Sequence, residues 1–343
     1  MIVALIGTKP TITVLRRRKL GQQVRTGEHA PAHLDKNGTP TMGGIVIIIA
    51  SLIGYVAGHL LTGDPMTVSG MLVLSLMTGL GFVGFLDDFL KLFMRRSLGL
   101  RSRAKLLGQV IVGAIFAVLA IHFPNSYDLT PASEHLSFNA DFGVSMGAVL
   151  FVVWVLVMVT ATSNGVNLTD GLDGLATGAS ILVLAAYVLI GNWQWRNDCI
   201  TDLASNCYPV RDPLDAAVVA SVVMGACFGF LWWNAPPAKI WMGDTGSLAL
   251  GGTLAGLAIV TRTDLLLLIL CGLFVIVTMS VVIQVTSYKT RRKRVFKMSP
   301  LHHHFEMVGW AESTIVVRFW LIAAMFVALG LGIFYIGWFP ASP

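Results

Sequence analysis

Residues 81–93 read GFVGFLDDFLKLF and place two adjacent acids, Asp87 and Asp88, at the end of a long apolar run. An ionised carboxylate is costly to bury unless a cation pairs with it. On a helix these two acids are about 100° apart and cannot share one face, whereas Lys91 follows Asp87 by four residues and Asp88 by three. Lys91 can therefore neutralise one acid and leave the other free.

The composition around this stretch is that of a membrane protein. The 343-residue chain is 55% hydrophobic and 12% charged, with a mean hydropathy of +0.75, whereas soluble domains carry about 25% charged residues. Apolar runs of about 17–25 residues can cross a bilayer as helices, and polar loops separate them here, which excludes a soluble protein with one large core. The sequence predicts a single all-α integral membrane domain over residues 1–343, with helices at 1–15, 43–61, 68–86, 104–123, 143–162, 174–191, 214–233, 246–260, 264–284 and 315–339.

The basic residues predict how these ten helices are oriented. The odd-numbered loops with their adjoining helix ends hold 19 Lys and Arg residues, and the even-numbered loops hold 3. Because Lys and Arg near helix ends stay on the cytoplasmic side, we expect the odd loops in the cytoplasm and both termini outside. The basic inner face would attract anionic membrane lipids and phosphorylated substrates. No soluble module is present that could bind nucleic acid, and no cleaved secretory signal is recognisable.

Two of the four cysteines lie in one predicted external loop. Cys199 and Cys207 share the sixth loop, where an oxidising environment permits a disulfide. A disulfide and two separate thiols both remain open, and a disulfide there would be structural. Cys227 and Cys271 fall inside predicted helices and are expected to be packing residues.

The fifth loop reads SNGVNLTDGLDGLA and holds no Lys or Arg, which is unusual for an inner loop. It offers four polar residues spaced by three, with glycines between them: Asn164, Asn167, Asp170 and Asp173. On a helical turn the last three fall on one face and could converge on a single ion or polar ligand. The alternative is a helix start with Asp as its N-cap, which would explain only one acid.

The seventh loop, NAPPAKIWMGDTGS, ends with Asp244 just before an apolar run. Its glycines allow the backbone to approach a ligand closely, and a helix N-terminus favours anions; equally, Asp244 could be an N-cap. Trp241 could stack on a flat base or anchor the membrane interface.

The ninth loop contains SPLHHHFE. Consecutive residues on a regular element point in different directions, so a three-histidine metal centre is not expected from His302, His303 and His304. Their ring N–H groups could instead donate to phosphate or sugar oxygens; a solvated loop is the alternative. The first loop adds a Gly-rich bend, KNGTPTMGG at 36–44.

The acids in these loops all fall at the predicted cytoplasmic ends of helices, where they could form one site: Asp87, Asp88, Asp170, Asp173 and Asp244. Two carboxylates with substrate phosphates suit Mg²⁺, a hard cation that prefers oxygen ligands. Interface-level polar anchors are the alternative interpretation of Asp87 and Asp88.

Five motifs together resemble the phospho-N-acetylmuramoyl-pentapeptide transferases, bacterial enzymes of the polyprenyl-phosphate N-acetylhexosamine-1-phosphate transferase superfamily. The motifs are GTPTMGG, LDDFLK, NLTDGLDGLA, MGDTGSLALGG and SPLHHHFE, and the resemblance spans about residues 36–318. It implies ten helices in the bacterial inner membrane, with the site facing the cytoplasm. It also implies Mg²⁺-dependent transfer of phospho-MurNAc-pentapeptide from UDP-MurNAc-pentapeptide to undecaprenyl phosphate, giving lipid I and UMP. A homodimer is an expectation at the level of the family.

The resemblance also assigns roles to matching positions. Asp244 matches the Mg²⁺ ligand, and Asp87 and Asp88 match the catalytic acid pair. The diphosphate and lipid-phosphate region would be lined by Lys91, Lys105, Asn234 and His303. The nucleotide would be contacted by Lys36, Thr41, Asn167, Leu168, Asp170, Asp173 and Trp241.

The chain departs from the family pattern in two places. Trp241 stands where the family is expected to have Phe, and stacking on uracil should survive this change. We expect the amino end to be shorter than in the family, which bears on the first helix and not on the chemistry.

Three other functions compete with this interpretation. A sister enzyme would transfer GlcNAc-1-phosphate to the same lipid, but PTMGG and the triple histidine argue against it. A transporter of a phosphorylated solute would place its acids near mid-helix, whereas these lie at helix ends. A structural membrane scaffold would leave the converging loops unexplained.

Overall fold

The computed structural model of the protein describes residues 1–17, 38–93, 99–199 and 207–338. Within these ranges the chain forms twelve helices and one two-stranded hairpin. In chain order they are α1 (Ile2–Arg17), α2 (Gly44–Thr62), α3 (Val68–Phe93), α4 (Ser102–Ala120), β1 (His135–Ser137), β2 (Asp141–Ser145), α5 (Gly147–Thr169), α6 (Leu175–Arg196), α7 (Pro213–Asn234), α8 (Gly243–Val260), α9 (Leu266–Leu270), α10 (Gly272–Arg291), α11 (Leu301–Val308) and α12 (Glu312–Ile336).

The architecture is that of an all-α integral membrane protein, as the composition predicts. In the described residues nine helices are long and apolar enough to cross a membrane: α2 to α8, α10 and α12. The first predicted segment is also helical, but α1 has 16 residues and carries Arg16 and Arg17 in its last turn.

The structure differs from the sequence-based prediction at several helix boundaries and in one hairpin. The helix predicted to end at residue 86 continues to Phe93 as α3, so Asp87 and Asp88 lie on this helix. The helix predicted to end at residue 162 continues to Thr169 as α5. The helix predicted at 264–284 is divided into α9 and α10 at Cys271, where φ is −89° and ψ is 21°. The hairpin was not expected in an all-α chain; its strands are antiparallel and pair His135 with Ser145.

The last helix shows how the apolar runs are used. On α12 the side chains of Val317, Leu321 and Met325 are more than half exposed and lie four residues apart, so they form one stripe along the outer surface. The opposite face buries Phe319 and Ala323 against the bundle. An exposed apolar stripe of this length would be costly in water and is the expected surface toward lipid.

Helix α8 lies at the centre of the bundle. Every residue from Thr245 to Val260 is buried, and α3, α5, α2, α6 and α7 pack around it. At its C-terminal end the hairpin covers the turn into α9, where the Ser137 hydroxyl and carbonyl oxygens accept the backbone N–H groups of Asp264 (3.1 Å) and Leu265 (3.0 Å). The acidic residues described below lie at the N-terminal end of α8.

A disulfide joins Cys199 and Cys207 between α6 and α7, which settles the alternative that the sequence left open. Cys227 and Cys271 are buried free thiols, as expected of packing residues.

Candidate active site

The two acid motifs meet where α3 crosses the start of α8. Gly84 on α3 makes this crossing close, because a Cβ atom at that position would lie 2.1 Å from the carbonyl oxygen of Asp244. One helical turn further along α3, Asp87 and Asp88 reach the same end of α8. The structure therefore brings together the acids of the third and seventh loops, which are about 150 residues apart in sequence.

The carboxylates of Asp87, Asp88 and Asp244 each offer one oxygen atom, and these atoms lie within 4.8 Å of one another. Asp87 and Asp88 are buried and Asp244 is partly buried. Three oxygen ligands from carboxylates match the donor set that hard divalent cations take. In the described part of the chain this is the candidate metal-binding group, and its residues fit such an ion.

Two lysines surround Asp244. The Nζ atoms of Lys91 and Lys105 lie 3.0 Å and 2.9 Å from its Oδ2 atom, and Lys91 also pairs with Asp87 at 2.5 Å. The Oδ1 atom of Asp87 accepts the backbone N–H of Leu100 at 2.7 Å. Lys91 therefore neutralises Asp87, as the i,i+4 spacing predicts, and bridges it to the acid on α8.

The other member of the adjacent pair is not free. Asp88 accepts the backbone N–H groups of Asp244 (3.2 Å) and Thr245 (3.0 Å), and the Thr245 hydroxyl at 2.7 Å. The expectation that Lys91 leaves one acid unpaired is therefore wrong for Asp88, because the first turn of α8 has N–H groups that lack partners within the helix. Asp88 caps α8 from another helix. Asp244 is not the N-cap, since α8 begins at Gly243.

The fifth loop reaches the same cluster through Asn167, near the end of α5. Its Nδ2 atom donates to Asp244 Oδ1 (2.8 Å) and to the Ser247 hydroxyl (2.7 Å). Asp170 follows as the C-cap of α5, so it is neither on a continuing helix nor the N-cap of the next. Burial, with the charges of Asp244 and Asp88, raises the pKa of Asp170 to about 8.

Asp173 connects the fifth loop to the seventh. It is buried, and its carboxylate accepts the Ala238 backbone N–H at 2.9 Å and the Trp241 indole N–H at 3.1 Å. The prediction that Asn167, Asp170 and Asp173 lie on one helical face is wrong, because α5 ends at Thr169 and α6 begins at Leu175. The loop between them turns Asp173 toward Trp241, while Asn167 faces Asp244.

Other residues that the sequence predicted for the site make hydrogen bonds or packing contacts around the acid cluster. Asn164 donates to Gln109 at 3.1 Å. The amide of Asn234, fully buried, accepts from Thr177 and donates to the carbonyl of Ile240, both at 2.9 Å, which closes the seventh loop. Leu168 is partly buried against the core.

The first loop also reaches this region. Thr41 is buried, and Pro40 accepts the Trp241 backbone N–H at 2.8 Å. Lys36 lies outside the described residues.

The three histidines point in different directions, as consecutive residues on helix α11 must. His303 pairs with Glu306 at 2.5 Å, and His304 accepts the Lys297 backbone N–H at 3.1 Å. His302 is buried against Gly171, where a Cβ atom would come within 2.3 Å of its Nε2 atom, and no hydrogen-bond partner of its ring is found in the described ranges. Burial, followed by the neighbouring His303, lowers the pKa of His302 well below its usual range, which favours the neutral ring.

Reasoning from the sequence missed several residues that shape this site. Thr245 directly follows Asp244 in MGDTGS, and its side chain could have been recognised as a donor. Leu100 contributes only its backbone N–H, which no motif reveals. Glu312, at the start of α12, accepts the Asp173 backbone N–H at 2.9 Å; it lies outside every motif discussed above.

Comparison with known proteins shows which family the chain resembles. A family model described as Glycosyl transferase family 4 matches residues 70–262. A second, described as Phospho-N-acetylmuramoyl-pentapeptide-transferase signature 1, matches residues 36–48.

Curated relatives are similar over nearly the whole chain. The chain is 60% identical to the phospho-N-acetylmuramoyl-pentapeptide-transferase of Thermobifida fusca over 99% of its own length and 97% of the relative's. It is 59% identical to the protein of that name from Streptomyces griseus, over 98% and 96% of the two chains. The one from Kineococcus radiotolerans is 60% identical, again over 98% and 96%. On this similarity over nearly the whole length, the chain belongs to the phospho-N-acetylmuramoyl-pentapeptide-transferase family.

Proposed function

We propose that the protein transfers phospho-MurNAc-pentapeptide from UDP-MurNAc-pentapeptide to undecaprenyl phosphate, forming lipid I and UMP for peptidoglycan synthesis. The observation that carries the proposal is the cluster of Asp87, Asp88 and Asp244 with Lys91 and Lys105 at one end of a membrane bundle. A transfer between two phosphates requires charge neutralisation and alignment more than covalent chemistry.

The reaction exchanges one phosphorus–oxygen bond for another. An oxygen of the lipid phosphate bonds to the β-phosphorus of the UDP-sugar, and the bond from that phosphorus to the oxygen bridging the two phosphates breaks. UMP leaves with the bridging oxygen. A phosphate monoester has a second pKa of about 6, so the attacking oxygen is already ionised near neutral pH.

Direct displacement therefore needs no general base. The surroundings of Asp87 support this route: one carboxylate oxygen pairs with Lys91 and the other accepts the Leu100 backbone N–H. A nucleophilic Asp87 would first have to leave both partners. A trapped phospho-aspartyl intermediate would contradict direct displacement.

The acids would hold Mg²⁺, with Asp244 as a ligand and Asp87 and Asp88 beside it. When bound, Mg²⁺ would offset the negative charge of the diphosphate. Lys91 and Lys105 already lie against Asp244 and can donate to phosphate oxygens that enter the same space. His303 and its neighbours on α11 would donate to phosphate or sugar oxygens.

The nucleotide would bind against residues of the fifth and seventh loops. Trp241 presents a flat indole for uracil, and the adjoining end of α5 carries Leu168, with Asp170 as its C-cap. Lys36 and Thr41 in the first loop would complete this part of the site by family resemblance.

This site would face the cytoplasm from the bacterial inner membrane. Lys and Arg concentrate in the odd loops. The disulfide between Cys199 and Cys207 supports the same orientation, because disulfides persist on the oxidising side of a membrane. The disulfide lies in the sixth loop, one of the even loops that are predicted to be external.

The test is UMP release by purified protein with Mg²⁺, undecaprenyl phosphate and UDP-MurNAc-pentapeptide. Asp244→Asn should lose most of the activity, and chelation of Mg²⁺ should abolish release by the wild type. Activity unchanged by Asp244→Asn would contradict the proposed metal site. UDP-GlcNAc used as well as UDP-MurNAc-pentapeptide would favour the sister enzyme, and uptake of labelled substrate into vesicles without UMP release would favour a transporter.

A further inference from the structure

Two hydrogen bonds through Asp173 connect the start of α12 to the indole of Trp241, and a third joins Asp173 to the backbone of the seventh loop. Glu312 Oε1 accepts the backbone N–H of Asp173 at 2.9 Å. The Asp173 carboxylate then accepts the indole N–H of Trp241 at 3.1 Å through Oδ1, and the Ala238 backbone N–H at 2.9 Å through Oδ2. The Trp241 indole is the ring that is proposed to stack on the uracil base.

Asp173 is held from three sides. Its backbone is fixed by Glu312, and both carboxylate oxygens are engaged by the seventh loop. It is also buried, with 3% of its surface exposed, and hydrogen bonds to a carboxylate are among the strong ones in proteins. The orientation of this carboxylate therefore depends on α12 as well as on the nucleotide loops.

The indole N–H makes Trp241 sensitive to that orientation. An indole has one N–H donor, which lies in the plane of the ring, so its hydrogen bond to a fixed acceptor restricts the orientations that the ring can take. A phenylalanine ring has no donor and cannot be oriented in this way. The chain thus carries, at this position, an aromatic residue that a buried carboxylate can align.

We propose that Glu312 is a positioning residue of the nucleotide pocket: it fixes Asp173, and through Asp173 it restricts the orientation of the Trp241 indole for stacking on a uracil base. This inference rests on the proposed function, because it takes a uridine nucleotide as the ligand. Glu312 acts on binding of the nucleotide and leaves the phosphoryl transfer itself unaffected, because it contacts the backbone of Asp173 and acts through that residue.

A purely structural role for Glu312 makes a different prediction. Glu312 is the acid in the first turn of α12, where a negative charge stabilises the helix through its dipole. Loss of that effect alone would lower stability or active fraction, so kcat would fall and the KM for the nucleotide sugar would not change. It would also act in the same way whatever residue stands at position 241.

The experiment compares wild type, Glu312→Met, Trp241→Phe and the double variant, with Glu134→Met as the control acid outside the site. For each we would measure kcat, the KM for UDP-MurNAc-pentapeptide, the inhibition constant of UMP, and the thermal unfolding midpoint. Methionine is similar to glutamate in length and is a good helix former but has no oxygen that could accept the Asp173 N–H, so the contact is removed while folding should be retained.

We expect Glu312→Met to raise both KM and the UMP inhibition constant about tenfold, with kcat within about twofold of wild type. In the Trp241→Phe background the same substitution should change them by less than about twofold, because the two residues act through one contact. Equal effects in both backgrounds, or a fall in kcat alone, would overturn the role of Glu312. An active wild type is the reference throughout; if it releases no UMP, the proposed function itself fails.

Discussion

Asp88 on α3 accepts two hydrogen bonds from Thr245 on α8, one from its backbone N–H at 3.0 Å and one from its hydroxyl at 2.7 Å. With the Asp244 N–H as a third donor, the carboxylate completes the first turn of a helix from which it is separated by more than 150 residues. These hydrogen bonds between Asp88 and the first turn of α8 thereby fix the position of Asp244 relative to Asp87. Asp88 contributes to the site by holding α8 in place, whether or not it also touches a metal.

Asp88→Asn should therefore impair both stability and activity. The amide keeps one acceptor oxygen but turns an NH₂ group toward the N–H donors of α8, which costs about 1–3 kcal/mol for buried groups. Thermal unfolding in detergent and UMP release would measure the two effects. The matched control is Asp128→Asn: Asp128 is exposed with φ 60°, a conformation that Asn tolerates. A stable and active Asp88→Asn would contradict the capping role.

Gly84→Ala tests the crossing of α3 and α8. The added methyl group would overlap the carbonyl of Asp244, so the helices must separate at a cost of about 1–3 kcal/mol. Separation by about 1 Å would lower kcat about 100-fold, because it moves the acids apart. Gly58→Ala on α2 is the control, since a Cβ atom there meets nothing within 4 Å. Equal effects of the two substitutions would show that the crossing is not critical.

Asp264 predicts a pH dependence of stability at the other end of α8. Burial raises its pKa from 3.8 to about 7, even though Trp154 donates to its carboxylate. The folded state then binds a proton that the unfolded state releases above pH 4, so Asp264 contributes stability at low pH that is lost as the pH rises from about 4 to above 7.

The comparison of wild type with Asp264→Asn isolates this group. We expect the free energy of unfolding of wild type to fall relative to the variant by at most about 1.4 kcal/mol per pH unit over that interval. Unfolding midpoints between pH 5 and 8 would measure it, with Asp128→Asn as a control that should follow wild type. A difference that does not change with pH would show that Asp264 does not titrate there.

The proposed orientation can be tested with thiol labelling of intact spheroplasts. A membrane-impermeant maleimide should label Cys199 and Cys207 only after reduction of their disulfide. In a Cys199→Ser, Cys207→Ser background, Lys297→Cys, at an exposed position near the histidine helix, should be labelled only after the membrane is opened. Labelling of that position in intact spheroplasts would place it on the external face of the membrane and contradict the proposed orientation.

The helices were largely predictable because uninterrupted apolar runs are long enough to span a bilayer. The end of α5 was not, because Asn164 and Asn167 interrupt the apolar run while the helix continues. Their side chains bond to Gln109 and Asp244, and only these distant partners make polar residues acceptable there. The break at Cys271 is likewise invisible in an apolar run.

The site was predictable as a set of residues and not as a geometry. The motifs name Asp87, Asp88 and Asp244, but spacing within α3 cannot show that Asp88 caps another helix. The same limit applies to Glu312, whose contact with Asp173 spans 139 residues. Such contacts follow from how helices pack, which local sequence does not encode.

The enclosure of α8 has a consequence for the membrane in which the protein works. Because every residue from Thr245 to Val260 is covered by protein, lipid tails contact the surrounding helices and do not contact the helix that carries Asp244. Bilayers of longer or shorter acyl chains should tilt rim helices such as α12 while the acids keep their spacing. Turnover in vesicles should accordingly vary little with hydrocarbon thickness.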